Sequence, residues 1–329
     1  MKIKREILNA LESHRGNYVS GEAIAQSLGV SRAAICKGIH LLQKEGHQIS
    51  ASTKKGYCLE ISSDILSEKG IRANLKPYTK VSQVICLLKT DSTNNYAKRL
   101  AVEGEANGTL VVANTQTAGR GRHGHTFESP AGTGVYMSLI IRPKYDVEKF
   151  QMITIADAVA VCLAIEDLYP EAKGSLGIKW VNDVLMRDRK ICGILTEAVT
   201  GFESGEVESV VTGIGINVST KEFDNAGSAG SIFVNKPVIF GRDELCARVA
   251  DYVMTFAENL NDPSIMQAYR ERDILTGHDI TFMKDDEKCY GHVEGIDDNG
   301  GLIIKNKSGE IETLRSGEVF MIRESETQE

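Results

Sequence analysis

The stretch Gly119-Arg120-Gly121-Arg122-His123-Gly124 joins two strand-like runs, residues 109–114 and 134–141, near the middle of the 329-residue chain. Glycine lets backbone N–H groups approach an anion closely, and arginine binds phosphate oxygens through two parallel hydrogen bonds. A loop of this composition between two strands predicts a site for a nucleotide phosphate. The alternative is a basic loop, rich in arginine and glycine, that contacts nucleic acid or binds no ligand.

Outward from this loop, apolar strands alternate with helical patterns over residues 81–270, which predicts one α/β domain with helices grouped on a mixed sheet. Residues 153–168 are almost entirely apolar and predict a buried helix, and a hairpin is expected around residues 201–206. The predicted strands are 84–88, 110–114, 135–142, 178–181, 190–197 and 207–218, and the other predicted helices are 94–103 and 242–260.

Residues 1–62 predict a winged helix–turn–helix domain that binds DNA. Apolar residues recur at helical spacing in three segments, Ser20 and Ser31 are good N-caps for the second and third, and Gly29 allows the tight turn between them. A basic hairpin follows as the wing. The alternative is a helical interaction module that binds no DNA. The residues expected to face DNA are Gly21, Ser31, Arg32, Lys37, His40, Lys54 and Lys55.

A linker with one helix is expected over residues 63–80, where Pro77 marks a domain boundary. From residue 271 to 329 the pattern changes to short strands separated by turns rich in glycine, asparagine and aspartate. This pattern predicts a small SH3-like β-barrel. Its expected strands are 279–283, 288–296, 302–306, 310–314 and 318–322, and the last residues form a polar tail.

Charge and cysteine content narrow the class of protein. The net charge is −7, but the first 60 residues carry +4 and the remainder −11. Only the first 60 residues therefore have the net positive charge that favours binding to a polyanion. Seven scattered cysteines without a CxxC pair favour a reducing cytoplasm and no disulfide framework.

No apolar stretch is long enough for a bilayer, and no signal peptide is evident, so no membrane partner is expected. His123 and His125 have no carboxylate or cysteine at ligand spacing, so no metal site made by the protein is expected.

Asp91-Ser92-Thr93-Asn94 follows a predicted strand and opens a helix. Hydroxyl groups at a helix N-terminus bind polar or anionic ligand groups well. On this segment alone, however, a plain N-cap is the better interpretation.

Lys179-Trp180-Val181-Asn182-Asp183 ends a predicted strand, and strand alternation would send Lys179 and Val181 to one face. A lysine at the end of an apolar strand is costly unless an anion pairs with it, or unless its amine reaches water at the sheet edge. Further along, Gly213-Ile214-Gly215-Ile216-Asn217-Val218 would let a strand lie against a flat ligand, although close packing explains these glycines nearly as well.

Taken together and in this order, these motifs resemble those of biotin protein ligases of the bifunctional type, the biotin operon repressors. The resemblance covers nearly the whole chain. It implies a multidomain α+β fold: an N-terminal winged helix–turn–helix, a central mixed-sheet ligase domain of the class II synthetase-like type, and the C-terminal SH3-like barrel. It implies that biotin and Mg²⁺-ATP give biotinyl-5′-AMP, and that biotin then passes to one lysine of a carboxylase carrier protein. The implied partners are this carrier, operator DNA and a second copy of the chain.

Since a carboxylate attacks a phosphate in this reaction, cations must neutralise two anions that meet. The resemblance implies catalytic roles for Lys179, Arg120 and Arg122, on a loop that is mobile before ligand binds. The implied biotin contacts are Ser92, Thr93, Asn94, Gln116, Arg120, Gly121, Arg122 and Lys179. The implied nucleotide contacts are Arg122, Phe127, Asn182, Asp183 and Asn217, with residues 219–231 as the loop that covers adenine.

The chain departs from the family pattern at two positions. Phe127 stands where the family commonly has tryptophan, so an aromatic cover remains with less area and no N–H donor. Val181 replaces the proline of Lys-Trp-Pro-Asn-Asp, which we expect to change rigidity rather than chemistry. Two other functions stay open: a lipoate-type ligase, and a ligand-sensing transcription factor without ligase activity.

Overall fold

The computed structural model describes residues 2–60, 63–142, 150–200, 206–224, 227–284 and 287–322. The N-terminal unit holds three helices, α1 (Lys2–Glu12), α2 (Gly21–Leu28) and α3 (Arg32–Lys44), and an antiparallel pair, β1 (Ile49–Ser52) and β2 (Gly56–Leu59). The hydroxyls of Ser20 and Ser31 accept hydrogen bonds from the first turns of α2 and α3, and Gly29 ends α2 in the left-handed region at φ 63°. The predicted helix–turn–helix and wing are confirmed.

The linker holds one helix, α4 (Glu68–Asn74), which packs between the N-terminal unit and the central domain. Lys69 Nζ donates to the carbonyl of Asn9, at 2.6 Å. On the other side, the Ser67 N–H donates to the Asp243 carboxylate at 3.0 Å. The linker helix and its N-cap therefore make polar contacts with both domains.

The central domain is built on seven strands: β3 (Gln83–Leu87), β4 (Thr109–Ala113), β5 (Gly134–Ile141), β6 (Leu176–Lys179), β7 (Asp183–Met186), β8 (Arg189–Thr200) and β9 (Val207–Asn217). Their order across the sheet is β3-β4-β5-β9-β8-β7-β6. β3 and β4 are parallel, whereas every other adjacent pair is antiparallel, so the sheet is mixed as predicted.

Helices cover both faces of this sheet. α5 (Thr93–Val102) packs on one face, where Ala97 and Ala101 meet Val111 and Val211. α6 (Phe150–Leu168), α7 (Arg242–Glu258) and α8 (Pro263–Arg270) pack on the other face. α6 is buried on nearly all sides, which agrees with its apolar sequence. Among the described residues, no helix combines the length and apolarity needed to cross a bilayer.

The C-terminal unit is a five-stranded antiparallel sheet of β10 (Asp279–Lys284), β11 (Glu287–Ile296), β12 (Leu302–Asn306), β13 (Ile311–Leu314) and β14 (Val319–Met321), in the order β13-β12-β11-β10-β14. It is anchored to the central domain at the Gly300 carbonyl. That oxygen accepts hydrogen bonds from Trp180 Nε1 at 2.9 Å and from Gln151 Nε2 at 2.7 Å. The C-terminal sheet therefore holds the segment next to Lys179.

The structure corrects the sequence analysis at three points. The strand expected over 178–181 ends at Lys179, and residues 180–182 form the turn to β7, so strand alternation does not set the direction of Val181. β7 and α8 were not predicted. The expected hairpin around 201–206 falls mostly outside the described residues, although its flanking strands β8 and β9 are antiparallel neighbours. The polar tail beyond residue 322 also lies outside them.

Candidate active site

A polar slot lies where α5 begins, above the centre of the sheet. Its lining includes Ser92, Thr93, Asn94 and Gln116, and its volume is about 20 Å³. Ser92 holds the N-cap position, but its side chain makes no capping hydrogen bond. Gln116 Oε1 accepts from the Thr93 N–H at 2.7 Å and from the Thr93 hydroxyl at 3.1 Å. The slot thus presents hydroxyl and amide groups, as binding of a neutral polar ring requires.

A larger cavity of about 760 Å³ adjoins the slot. Arg120, Arg122 and Lys179 all line it, so the arginine loop and the strand-end lysine face the same space. Arg120 also lines the slot. The spatial relation expected from the sequence, with the two loop arginines and Lys179 converging, is therefore present in the fold.

Lys179 is half-buried between the sheet and the C-terminal unit. Burial lowers the pKa of its amine, while the charges of Asp183 and Glu318 act in the opposite direction. Its Nζ lies 5.1 Å from the ring centroid of Phe320, within the range of a cation–π contact. Because this amine also lines the large cavity, it can form an ion pair with an anionic ligand there.

Arg122 is held beside the turn that follows Lys179. Its Nη1 donates to Asn182 Oδ1 at 3.1 Å, and Asn182 Nδ2 donates in turn to the Ile194 carbonyl at 2.9 Å. Burial lowers the pKa of the guanidinium, and the negative charges of Asp183 and Glu318 oppose that shift. Since an arginine stays protonated in proteins, the cavity keeps this positive charge.

Asp183 and Lys190 form an ion pair across the β7–β8 hairpin, with Lys190 Nζ 2.7 Å from Asp183 Oδ1. Both residues line the large cavity. Ser228, from the segment expected to cover adenine, lines it too, and its carbonyl accepts from the Lys190 N–H at 2.7 Å. Residues 225–226 of that segment lie outside the described residues. Asn217, at the end of β9, lines neither of the two cavities in the described part of the chain.

Phe127 separates the slot from the large cavity and lines both. Its ring lies on β9: a Cβ added at Gly215 would meet a ring atom at 2.5 Å. A Cβ at Gly213 would meet Asn94 Oδ1 at 2.0 Å. Close packing therefore explains both glycines of the motif, because each leaves room for a side chain of the slot region.

The residues expected to face DNA lie on the N-terminal unit. Arg32, Lys37, His40, Lys54 and Lys55 are exposed. The other two have local structural tasks. The Ser31 hydroxyl caps α3, and Gly21 begins α2, where a Cβ would lie 3.1 Å from the Tyr57 ring.

Three contributors to the site were not predicted from the sequence. Glu318 and Phe320 come from the C-terminal unit and line the large cavity, and no local signal marks them. Glu197 lies on β8 and is bonded to Arg120 through a 3.2 Å contact between Arg120 Nη1 and Glu197 Oε1. A carboxylate that interrupts an apolar strand is a signal that could have drawn attention to it.

Comparisons with known proteins show which proteins this chain resembles. Three family models match: the Biotin/lipoate A/B protein ligase family over residues 85–217, the HTH domain over residues 4–58 and the Biotin protein ligase C terminal domain over residues 277–322. Two relatives are named bifunctional ligase/repressor BirA. The one from Bacillus subtilis (strain 168) is 35% identical over 314 residues, 93% of this chain and 95% of that protein. The one from Escherichia coli (strain K12) is 30% identical over 316 residues, 93% of this chain and 94% of that protein.

A solved structure with the same fold is the biotin protein ligase from Aquifex aeolicus in complex with biotin and ATP. It is 25% identical, with a TM-score of 0.60, and the match covers 74% of this chain and 99% of that one. The part of this chain left over by that match is close in size to the N-terminal unit, which the HTH model covers.

Proposed function

The chain belongs to the family of bifunctional biotin ligase/repressors, and from this premise we propose how its own residues carry out the activity. The protein is an ATP-dependent biotin–[acetyl-CoA-carboxylase] ligase that also represses transcription through its helix–turn–helix domain. The observation that carries the proposal is the convergence of Arg120, Arg122 and Lys179 on one cavity beside a polar slot.

In the first step, an oxygen of the biotin carboxylate attacks the α-phosphorus of ATP. A new O–P bond forms, the bond to the β-phosphate bridge breaks, and pyrophosphate leaves with its electron pair. Negative charge grows on the α-phosphate oxygens in the transition state, and fixed cations stabilise it without further reorganisation. Lys179 lies between the carboxylate and the α-phosphate, and Arg120 and Arg122 close over the phosphates.

The slot, whose volume of about 20 Å³ admits a small polar group rather than a whole ring system, recognises the ureido edge of biotin. Ser92, Thr93, Asn94 and Gln116 bind the ureido ring, and the backbone around Gly121 forms a wall beside it. This arrangement is supported by the buried hydroxyl and amide groups that line the slot. In the second step, the amine of the carrier lysine attacks the acyl carbon of biotinyl-5′-AMP, and AMP leaves, so the product is an amide.

The nucleotide lies in the large cavity, with Phe127 as its aromatic cover and Asn182 and Asp183 near the phosphates or the nucleoside. Mg²⁺ enters with ATP. Oxygen donors suit this ion, and Asp183 would supply a carboxylate, since it is already held at the cavity edge by Lys190. The described residues of the 219–231 segment cover the adenine, a placement that Ser228 in the cavity lining supports.

The finer architecture follows the same proposal. Residues 1–62 form the DNA-binding domain, 63–80 the linker, 81–270 the ligase domain of the class II synthetase-like type, and 271–329 an SH3-like barrel. The protein acts in the cytoplasm, which its free cysteines suit. It binds its operator as a homodimer, through the two wing lysines and the exposed polar residues of α3.

The chemistry is tested by exchange of labelled pyrophosphate into ATP. Exchange that depends on biotin supports the proposal, and exchange that depends on lipoate instead would replace it with a lipoate-type ligase. Repression is tested by a gel shift on operator DNA. Binding that strengthens with biotin plus ATP supports the regulatory half, and binding unchanged by them rejects it.

A further inference from the structure

Glu197 joins three parts of the site without lining it. Its Oε1 accepts from Lys98 Nζ at 2.8 Å and from Arg120 Nη1 at 3.2 Å, and its Oε2 accepts from Asn94 Nδ2 at 2.9 Å. Among the residues described, Glu197 belongs to the lining of neither the slot nor the large cavity. Any effect on ligands must therefore act through the residues it holds.

The carboxylate of Glu197 is more buried than the carboxylate of an ordinary surface ion pair. Its side chain is 20% exposed, against 44% for Arg120. Burial disfavours the charged form of Glu197, yet the hydrogen bonds from Lys98 and Asn94 outweigh that effect and lower its pKa. The group is therefore an anion at neutral pH and can only accept hydrogen bonds.

An anion at this position fixes the orientation of the Asn94 amide. The amide nitrogen faces two acceptors, Glu197 and the Leu195 carbonyl at 3.1 Å. The amide oxygen must then face the other way, where it accepts from the Ser138 hydroxyl at 2.6 Å. A flipped amide would direct its oxygen at a carboxylate and lose both bonds.

The orientation of Asn94 in turn decides what Thr93 offers to a ligand. The Ser138 hydroxyl lies 2.8 Å from Thr93 Oγ1 as well, but it has one proton, which Asn94 Oδ1 takes. Thr93 then donates its own proton, either to Gln116 Oε1 at 3.1 Å or to the Ser138 oxygen at 2.8 Å. The Thr93 oxygen therefore keeps an acceptor lone pair for an N–H donor in the slot.

Glu197 also restrains the side chain of Arg120. Arg120 Nη1 donates to Asn95 Oδ1 at 3.1 Å in addition to Glu197, so two side chains near the start of α5 and on β8 hold the guanidinium at the edge of the slot. A long exposed arginine without such partners would lose more rotamer freedom on binding a ligand.

We propose that Glu197 is a positioning residue for biotin: it sets the hydrogen-bond polarity of the slot through Asn94 and Ser138, and it holds Arg120 at the edge of the slot. This inference rests on the proposed function. In this role Glu197 makes the slot selective for a ring that carries N–H donors, and it takes no part in the chemical step.

The test is biotin-dependent pyrophosphate exchange by the full chain with Glu197→Gln. The substitution keeps size and removes the charge. A lost hydrogen bond to a charged group predicts a KM for biotin raised about 10- to 100-fold, with the KM for ATP within about twofold of the wild type. Lys98→Met is the matched control, since Lys98 contacts the same carboxylate but lines neither cavity, and its effect on the KM for biotin is expected to stay below about threefold.

Selectivity separates positioning from a merely structural role. The two N-methylbiotins each lack one ureido N–H. Glu197→Gln should lower the preference for biotin over one of them. Without the charge of Glu197 the Asn94 amide can flip, and the Thr93 oxygen is then no longer a free acceptor for the ureido N–H that this analogue lacks. Ser138→Ala alone should leave that preference in place, and added to Glu197→Gln it should restore it, because it removes the hydroxyl proton that a flipped Asn94 amide would send to Thr93. Glu197→Asp, which keeps the charge but shortens the reach to Asn94, keeps the test available if Glu197→Gln does not fold.

Three results overturn the inference: an unchanged KM for biotin in Glu197→Gln, equal losses for biotin and both N-methylbiotins, or a KM for ATP that rises as much as that for biotin. These results are distinct from failure of the proposed function. Wild-type protein without any biotin-dependent exchange would reject that function, whereas active wild type with an equally active and selective Glu197→Gln rejects only the role of Glu197.

Discussion

Replacing Asp157 with asparagine should make the stability of the protein less sensitive to a rise in pH toward and above neutrality. Asp157 lies in the buried helix α6, fully enclosed, and accepts a hydrogen bond from the Thr212 hydroxyl of β9. Burial raises its pKa from 3.8 to about 7, and the bond from Thr212 offsets this only in part. The carboxyl group is therefore close to half-protonated at pH 7 in the folded protein and ionised in the unfolded chain.

The sign and size of the effect follow from proton linkage. Because the folded pKa is the higher one, this group's stabilising contribution is complete below pH 4 and is lost as pH rises to about 7. A difference of about 3 pKa units at about 1.4 kcal/mol each makes a total of about 4 kcal/mol. Most of that change, about 3 kcal/mol, falls between pH 5 and pH 8. Asparagine does not titrate and therefore contributes none of this pH dependence.

The assay is urea unfolding at pH 5, 6, 7 and 8, followed by fluorescence of Trp180, the one tryptophan of the chain. The free energy of unfolding of Asp157→Asn minus that of the wild type should grow by about 3 kcal/mol between pH 5 and pH 8. Asp243, whose pKa burial also raises to about 7, contributes to both proteins and cancels in the difference. Parallel pH profiles for the two proteins would show that Asp157 does not titrate between pH 5 and pH 8 in the folded protein.

Three further sets of substitutions test the active site, the packing of Phe127 and the binding of DNA. Lys179→Met should slow pyrophosphate exchange by about 10²- to 10³-fold, the usual cost of removing one group that stabilises transition-state charge, with biotin affinity by calorimetry changed far less. Gly215→Ala should cost about 1–3 kcal/mol in urea unfolding, since its Cβ would meet the Phe127 ring at 2.5 Å, and adding Phe127→Ala should recover part of that loss. Changing Lys54 and Lys55 together to alanine should weaken operator and random DNA alike and reduce the salt dependence of binding by about two ions, as read from gel shifts at several salt concentrations. A larger loss on operator than on random DNA would contradict the phosphate role.

Local signals were strong enough to predict most elements of the fold. The caps at Ser20 and Ser31 bound the two helices of the helix–turn–helix as the structure has them. The strand β7 was missed because the turn after it carries no glycine or proline: Arg187 and Asp188 themselves adopt positive φ, at 51° and 62°. The helix α8 did carry a signal, since Asp262 caps it and Pro263 begins it.

The active-site cavity was predictable in part. The arginine loop and Lys179 were recognisable because glycine, arginine and a lysine at a strand end are unusual in an apolar sheet. Glu318 and Phe320 were not, because more than 130 residues separate them from Lys179 and only the packing of the C-terminal sheet brings them together. Which face Val181 occupies was also beyond the pattern, since the chain turns there instead of continuing as a strand.

The central claim is that two loop cations and one half-buried lysine join biotin to a nucleotide and pass it to a protein. Mass spectrometry of a carrier domain after incubation with this protein, biotin and Mg²⁺-ATP tests it most directly. We expect a gain of one biotinyl group on a single lysine, absent without ATP and nearly absent with Lys179→Met. An unmodified carrier with the wild-type protein, or equal modification by wild type and Lys179→Met, would contradict it.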